Sequence, residues 1–195
     1  MNNNLNYYDN NADQFFDQTY QVDMHSLYQL FLQRISQGGT ILDLGCGSGR
    51  DTLAFKNMGY KVDAVDASPA LVAKAQQLTG LQVRCASFYD LAEIDTYHGI
   101  WACASLLHCK RQRLPEMMGK IIDALKADGV CYMSFKYGST DHEKDGRYFT
   151  DLNEAQATTL LQPFAQIELI QQWITIDQRP DRSEQWLNLL WKKNA

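Results

Sequence analysis

The stretch that most constrains this chain is ILDLGCGSGRDT, residues 41–52. An apolar run ends in Gly45, Gly47 and Gly49, three glycines in five residues, and a charged pair follows at once. A buried strand that gives way to bare backbone and then to a helix is where an α/β fold holds a charged ligand. The glycines supply positive φ and let a ligand approach the main chain, while amides at the start of the next helix point outward as donors. The next strand-like segment, KVDAVD, puts Asp66 where one carboxylate can take both hydroxyls of a ribose. Strand, glycine turn, helix, strand and acid, in that order, point to a ligand that contains a nucleoside.

The rest of the chain repeats this unit. Strand-like runs at 40–44, 61–65, 82–85, 99–103 and 130–135 alternate with helical spacing over 51–58, 69–78 and 114–125. Ahead of them, Phe15, Phe16, Tyr20, Met24, Leu27, Tyr28, Phe31 and Ile35 recur at three and four residues. This spacing predicts helix over 9–35, with Asp23 as an N-cap and Gly38-Gly39 as its stop. The Asn-rich start reads as frayed. The polar stretch GSTDHEKDGRYFT is too long for a tight turn and is expected to be a loop over the active site. A short helix at 153–161 and two long strands at 166–176 and 184–191 complete the chain. The expected fold is α/β: a Rossmann-like sheet of seven strands, mostly parallel, with helices on both faces, an antiparallel C-terminal pair and an N-terminal helical cap.

At 195 residues and 45% hydrophobic, the chain suits one core better than two. A single domain over 1–195 is expected, with 1–37 as cap and 38–195 as sheet core. A net charge of -5 argues against nucleic acid as a partner, because phosphates demand a basic face. Lys110, Arg111 and Arg113 form the nearest approach to one and read as a solvated surface. Five cysteines, odd in number and without a CxxC pair, predict reduced thiols and no metal site. No run is long enough to span a membrane, and MNNNLNYYDNNADQ lacks the basic start and apolar stretch of a signal peptide. A cytoplasmic protein is the expectation; the oligomeric state is not legible.

A dinucleotide fingerprint would need a small residue at position 50, where Arg50 stands, and no GxxxxGK(S/T) phosphate loop is present. Asp43, two residues before the first glycine, suits a cationic ligand better than a pyrophosphate. LDLGCGSGRD, with VDASP after the second strand, resembles the class I S-adenosylmethionine-dependent methyltransferases. The resemblance continues through GIWACASLLH, LKADGVCYMSFKYG and DGRYFT. With RPDRSEQWLN, these segments are similar to a small bacterial subgroup labelled tellurite-resistance-like or generic methyltransferases. The resemblance implies S-adenosylmethionine as cofactor and S-adenosylhomocysteine as product. It also implies Gly45, Cys46, Gly47 and Gly49 around the methionine and ribose, and Asp43 near the methionine amino group. Asp66 would lie on the ribose hydroxyls, with Ala67 and Ser68 bordering the adenine and Ala104 following the fourth strand. Ser87 with Phe88 stands where such enzymes often present an acid to the adenine. Arg50 is a candidate for the methionine carboxylate, against an ordinary surface arginine.

Methyl transfer is an in-line displacement that asks mainly for alignment and exclusion of water. His108, after the fourth strand, is the candidate base or acceptor contact, against a structural or cofactor-side role. The (D/N)PP(Y/F/W) segment of many enzymes that methylate base amines is missing, so a small-molecule acceptor is expected. Tyr7, Tyr8, Phe15 and Tyr20 either cap its pocket or simply pack. Lys136, Arg147, Tyr148, Arg179 and Arg182 fall on segments that class I folds place over the acceptor. Arg147 with Arg179 or Arg182 is expected to bind an anionic group there, unless these loops only pair internally. Cys103 and Cys109 raise a metalloid, tellurite-type acceptor as an alternative. A non-catalytic sensor of the cofactor is another.

Overall fold

Strands that are apolar on both sides need helices over both faces of their sheet, and the chain arranges this in one pass. The computed structural model describes residues 3–179 and 182–195; Pro180 and Asp181 of the RPDRSEQWLN segment lie outside the described residues. Helices α1 (Asn3–Asn10), α2 (Ala12–Thr19) and α3 (His25–Leu32) come first. Then follow β1 (Thr40–Leu44), α4 (Arg50–Asn57), β2 (Lys61–Asp66), α5 (Pro69–Thr79), β3 (Val83–Cys85) and β4 (Tyr97–Ala102). Next are α6 (Leu114–Ala124), β5 (Leu125–Lys136), the hairpin β6 (Asp141–Lys144) and β7 (Arg147–Thr150), α7 (Glu154–Leu161), β8 (Ile167–Ile176) and β9 (Gln185–Lys193).

The main sheet has seven strands in the order β3-β2-β1-β4-β5-β9-β8. Strands β1 to β5 are parallel, and β9 runs antiparallel between β5 and β8. Side chains alternate between faces along each strand. Leu42, Leu44, Ile100 and Ala102 pack with Met117, Met118, Ile121 and Leu161 of α6 and α7. Ile41 and Trp101 turn the other way, against Tyr28, Phe31 and Phe55 of α3 and α4. The chain steps outward from β1 to β2 to β3 and returns to lay β4 on the other side of β1. Connections after β1 and β4 therefore diverge, and their divergence opens a cleft at the carboxyl ends of these two strands.

Four sequence expectations change. The pattern over 9–35 breaks into α2 and α3, because Val22 N–H closes on the Thr19 carbonyl at 3.2 Å and turns the chain. Met24 is the N-cap residue of α3, while Asp23 only accepts the His25 N–H at 2.8 Å. The Asn-rich start is not frayed but forms α1, held by tertiary bonds described below. The polar stretch after β5 is largely the β6–β7 hairpin, turned by Asp145 at φ 52° and Gly146 at φ 73°. An Asp-Gly pair with both residues at positive φ matches the twist of a two-residue hairpin, a signal that was present in the sequence.

At Gly45, φ is 83°, and an added Cβ would lie 2.5 Å from Ser105 Cβ. Gly45→Ala should therefore cost about 1–3 kcal/mol, lowering Tm by several degrees in a thermal melt. Gly119→Ala, on α6 with open space around it, should be neutral or stabilising by up to ~1 kcal/mol.

Candidate functional site

Asp66 ends β2 and takes hold of the glycine turn. Its Oδ2 accepts the Gly47 N–H at 2.8 Å and its Oδ1 the Ser68 N–H at 2.9 Å, which leaves one lone-pair direction on each oxygen. Burial raises its carboxyl above the usual carboxylate range. The Ser68 hydroxyl caps α5 by accepting the Leu71 N–H and donates to Asp9 of α1. A cavity of about 120 Å³ opens here, lined by Asp66, Ala67, Ser68, Ser87, Phe88 and Ser105 among others. Ser105 Oγ is buried without a hydrogen-bond partner in this wall. An orphaned hydroxyl beside a turn that excludes side chains leaves room and a polar partner for a ligand.

A second cavity, of about 480 Å³, adjoins the first. Tyr8, Phe15, Gly45, Gly47, Ala104 and His108 line both and mark the junction. Asp51, in the first turn of α4, is 6% exposed. It accepts Arg50 Nε at 2.6 Å, Arg50 Nη2 at 2.9 Å, Trp101 Nε1 at 2.7 Å and the Tyr28 hydroxyl. Burial opposes its ionisation, yet Arg50 and these donors hold it below the usual carboxylate range. Arg50 faces the larger cavity but is neutralised by this pair.

His108 closes the junction. Its Nδ1–H donates to the Tyr148 carbonyl at 2.8 Å, so Nε2 is unprotonated and accepts the Tyr8 hydroxyl at 2.7 Å. Tyr148 N–H in turn donates to Asn4 Oδ1 at 2.7 Å. Asn4 and Tyr8 stand four apart on α1 and so share a face. Burial, helped by Arg147 and Lys136, pushes the His108 imidazole down to about 4.

The cations of the acceptor side separate into two kinds. Arg179 is tied to Asp177, with Nε to Oδ1 at 2.9 Å, and Arg182 is exposed, 3.7 Å from Glu184. Arg147 lies over the Tyr7 ring at 3.8 Å; its Nε is buried without a partner, and among the described residues its one ion-pair partner is the exposed Asp145 at 3.5 Å. Lys136 lies over Phe149 at 4.6 Å and makes no ion pair among the described residues; burial lowers its ammonium.

The structure gathers most of the anticipated residues around the two cavities, with four exceptions. Asp43 is 2% exposed, lines neither cavity and accepts the Thr52 hydroxyl at 2.6 Å; burial, then Asp51, raises its carboxyl. Gly49 serves as the N-cap of α4 at φ 82°. Tyr20 stacks on Phe16 at 4.8 Å, and the Tyr148 phenol bonds Asp141 at 2.6 Å, both outside the cavities. Cys103 faces the larger cavity, whereas Cys109 is buried and accepts the Tyr89 hydroxyl at 3.4 Å, so the two thiols do not converge. Sequence reading missed Asp51, Tyr28, Trp101 and Ser105. Asp51 had a local signal, its place in the helix turn after the glycines, but its partners come from remote segments.

Residues 41–129 match the family model described as a methyltransferase domain. A curated relative, hemagglutinin 1 of Eikenella corrodens, is 30% identical over 166 residues, covering 75% of this chain and 54% of that protein. The chain spans about half the length of the curated relatives it matches. Among solved structures, the 1,6-didemethyltoxoflavin-N1-methyltransferase of Burkholderia thailandensis, with 1,6-didemethyltoxoflavin and S-adenosylhomocysteine bound, superposes with TM-score 0.77 at 22% identity. That match covers 97% of this chain and 85% of that one. The 4+2 cyclase SpnF has TM-score 0.78 at 15% identity, covering 100% and 97%. The family match thus spans residues 41–129, and the likeness to these solved structures is one of fold over nearly the whole chain. Among the described residues, no helix is long and apolar enough to cross a membrane.

The lowered imidazole of His108 has a stability consequence. The unfolded chain binds a proton near 6.5 while the folded chain resists until about 4. The His108 contribution to stability should be full above pH 6.5, fall as pH drops toward about 4 and level off below it. Urea titrations across that window should show a loss from this group on the order of 3 kcal/mol, and His108→Gln should remove that share.

Proposed function

We propose that this protein transfers a methyl group from S-adenosylmethionine to a small-molecule acceptor that carries an anionic group. One observation carries the reading: a glycine turn held by a ribose-competent carboxylate borders one cavity, and six residues of its wall also line a larger one beside it. When bound, the cofactor supplies a methyl on a sulfonium centre, electrophilic without any metal or redox partner. The chain's residues then bind, orient and keep out water.

Asp66 takes the ribose hydroxyls with the oxygen lone pairs that Gly47 and Ser68 leave free. Ser87 and Phe88 border the adenine, and the orphaned Ser105 hydroxyl gains its missing partner. Asp51 fixes the Arg50 guanidinium at the methionine end. The larger cavity is of a size that encloses a small molecule. Among the described residues, six cationic and four acidic side chains line it in a chain whose net charge is -5, which favours an anion. Arg147, with its unpartnered Nε, is the best-placed contact; the internal Arg179–Asp177 pair makes Arg179 a weaker candidate. The Burkholderia enzyme, whose bound acceptor is a small molecule, supports the same class of acceptor by analogy of fold.

Calorimetric titration with S-adenosylmethionine and S-adenosylhomocysteine should give micromolar-range binding, with NADH silent. Asp66→Ala should weaken both sulfur nucleosides by about 10- to 100-fold, the loss of one or two hydrogen bonds to a charged group. No binding of either, or an Asp66→Ala variant indistinguishable from the parent, overturns the assignment.

A further inference from the structure

The groups that could take a proton from an acceptor at the junction are already committed. Both nitrogens of His108 are engaged, one donating to Tyr148 and one accepting from Tyr8. The Asp51 carboxylate is saturated by Arg50, Tyr28 and Trp101. Asp177 is occupied by Arg179 and by Trp186 Nε1 at 3.3 Å. Asp66 sits on the ribose side, and Asp23 and Asp145 are exposed on the rim. Burial pushes the Cys103 thiol up to about 12, which keeps it protonated.

The cations are in the opposite condition. Lys136 and Arg147 face the same ring, Phe149, at 4.6 and 5.1 Å, and both line the larger cavity. Lys136 has no ion pair among the described residues, and Arg147 has a buried N–H without an acceptor. Arg147 also lies 5.9 Å from the Tyr8 ring, so this positive pair borders the junction itself. A partly buried, under-neutralised pair of cations attracts an anion more strongly than an exposed one, because the surroundings screen it less.

We infer that the acceptor is a small conjugated acid that arrives with its nucleophilic oxygen or nitrogen already ionised, its charge held by Arg147 and Lys136, and that no side chain of this protein serves as its general base. The inference rests on the methyl-transfer reading of the same cavity. Conjugation enters because an oxygen or nitrogen acid ionises near neutrality only when its charge is delocalised, and Tyr7, Tyr8 and Phe149 add aromatic side chains to the lining of the same cavity. The electrons balance without a proton transfer. A lone pair of the anion forms the new bond to the methyl carbon, and the pair of the broken carbon–sulfur bond stays on sulfur. Sulfonium and anion become thioether and neutral methylated product. The product no longer attracts Arg147 and Lys136, which favours its release.

The test uses 4-nitrophenol, which titrates near neutrality and absorbs in the visible only as its phenolate. With S-adenosylhomocysteine present, the bound probe should ionise about one pH unit or more below the free probe, as expected beside an unneutralised cation. Arg147→Gln and Lys136→Met should each remove most of that displacement while calorimetry shows S-adenosylhomocysteine affinity unchanged. Retained affinity reports an intact fold, and Lys136→Met carries the test if Arg147→Gln unfolds. An undisplaced titration in the parent, a displacement that survives both substitutions, or one that vanishes only in His108→Gln overturns the inference. Failure of S-adenosylhomocysteine to bind, with the probe still displaced through Arg147, strikes the methyl-transfer reading and leaves the anion site standing.

Discussion

Taking the Asp51 carboxylate out of water costs several kcal/mol unless its lone pairs find donors. They find them in three separate parts of the chain: Arg50 beside it on α4, Tyr28 on the cap helix α3, and Trp101 on the central strand β4. Much of the site's architecture follows from meeting that demand. The cap is bound to the sheet by a polar contact as well as by Leu27 and Phe31. Trp101 stacks on Tyr132 at 4.0 Å, and the Tyr132 hydroxyl donates to Asn188 on β9 at 2.6 Å. A connected series of groups thus lies beneath the larger cavity, from the third cap helix to the last strand. A floor ordered in this way holds reacting groups at fixed separation, which alignment-driven chemistry requires.

The cover over that floor is built on a different interaction. The main chain of Tyr148 receives the imidazole N–H of His108 and gives its own N–H to Asn4, while Tyr8 of the same helix face bonds the other imidazole nitrogen. Cap helix α1, the turn after β4 and strand β7 are thereby joined at one point above the junction. The smaller and the larger cavity share this cover, since Tyr8 and His108 line both. This explains why a histidine placed where a base would sit is spent as a structural link. It also explains why the nearby cations can remain under-neutralised, since the neutral imidazole adds no charge.

Much of the fold was legible because it rests on local signals. Apolar runs of strand length, helical spacing between them, and the glycines of 45–49 placed β1 to β5 and their helices within a few residues, and the antiparallel pair at the end was read from two long runs and a short connection. The β6–β7 hairpin was read as a loop because its polar composition hid an Asp-Gly turn. The helix α1 was missed because its stability comes from Asn4 and Tyr8 meeting residues 148 and 108, contacts with no local trace in an Asn-rich segment. Among candidate site residues, those adjacent to a motif came together: Gly45, Gly47, Asp66, Ser68 and Ser87 line the smaller cavity or its junction. Asp43 lies one step deeper than its distance from the glycines implies, because strand alternation turns it under α4 toward Thr52.

By itself, the sequence determined the order of strands and helices, the backbone freedom of the turn after β1 and the acid at the end of β2, since each depends on residue type over a short span. Which charges are free and which are spent was decided only by tertiary structure. Arg147 and Arg179 look alike in the chain, each within two residues of an aspartate. Folding gives Arg179 a close, paired carboxylate and leaves Arg147, which lines the larger cavity, with a buried N–H that has no partner. The reason is physical: ionic and hydrogen-bond partnerships depend on distances of a few ångströms between segments far apart in sequence, and burial alone sets how much each unmet partnership matters.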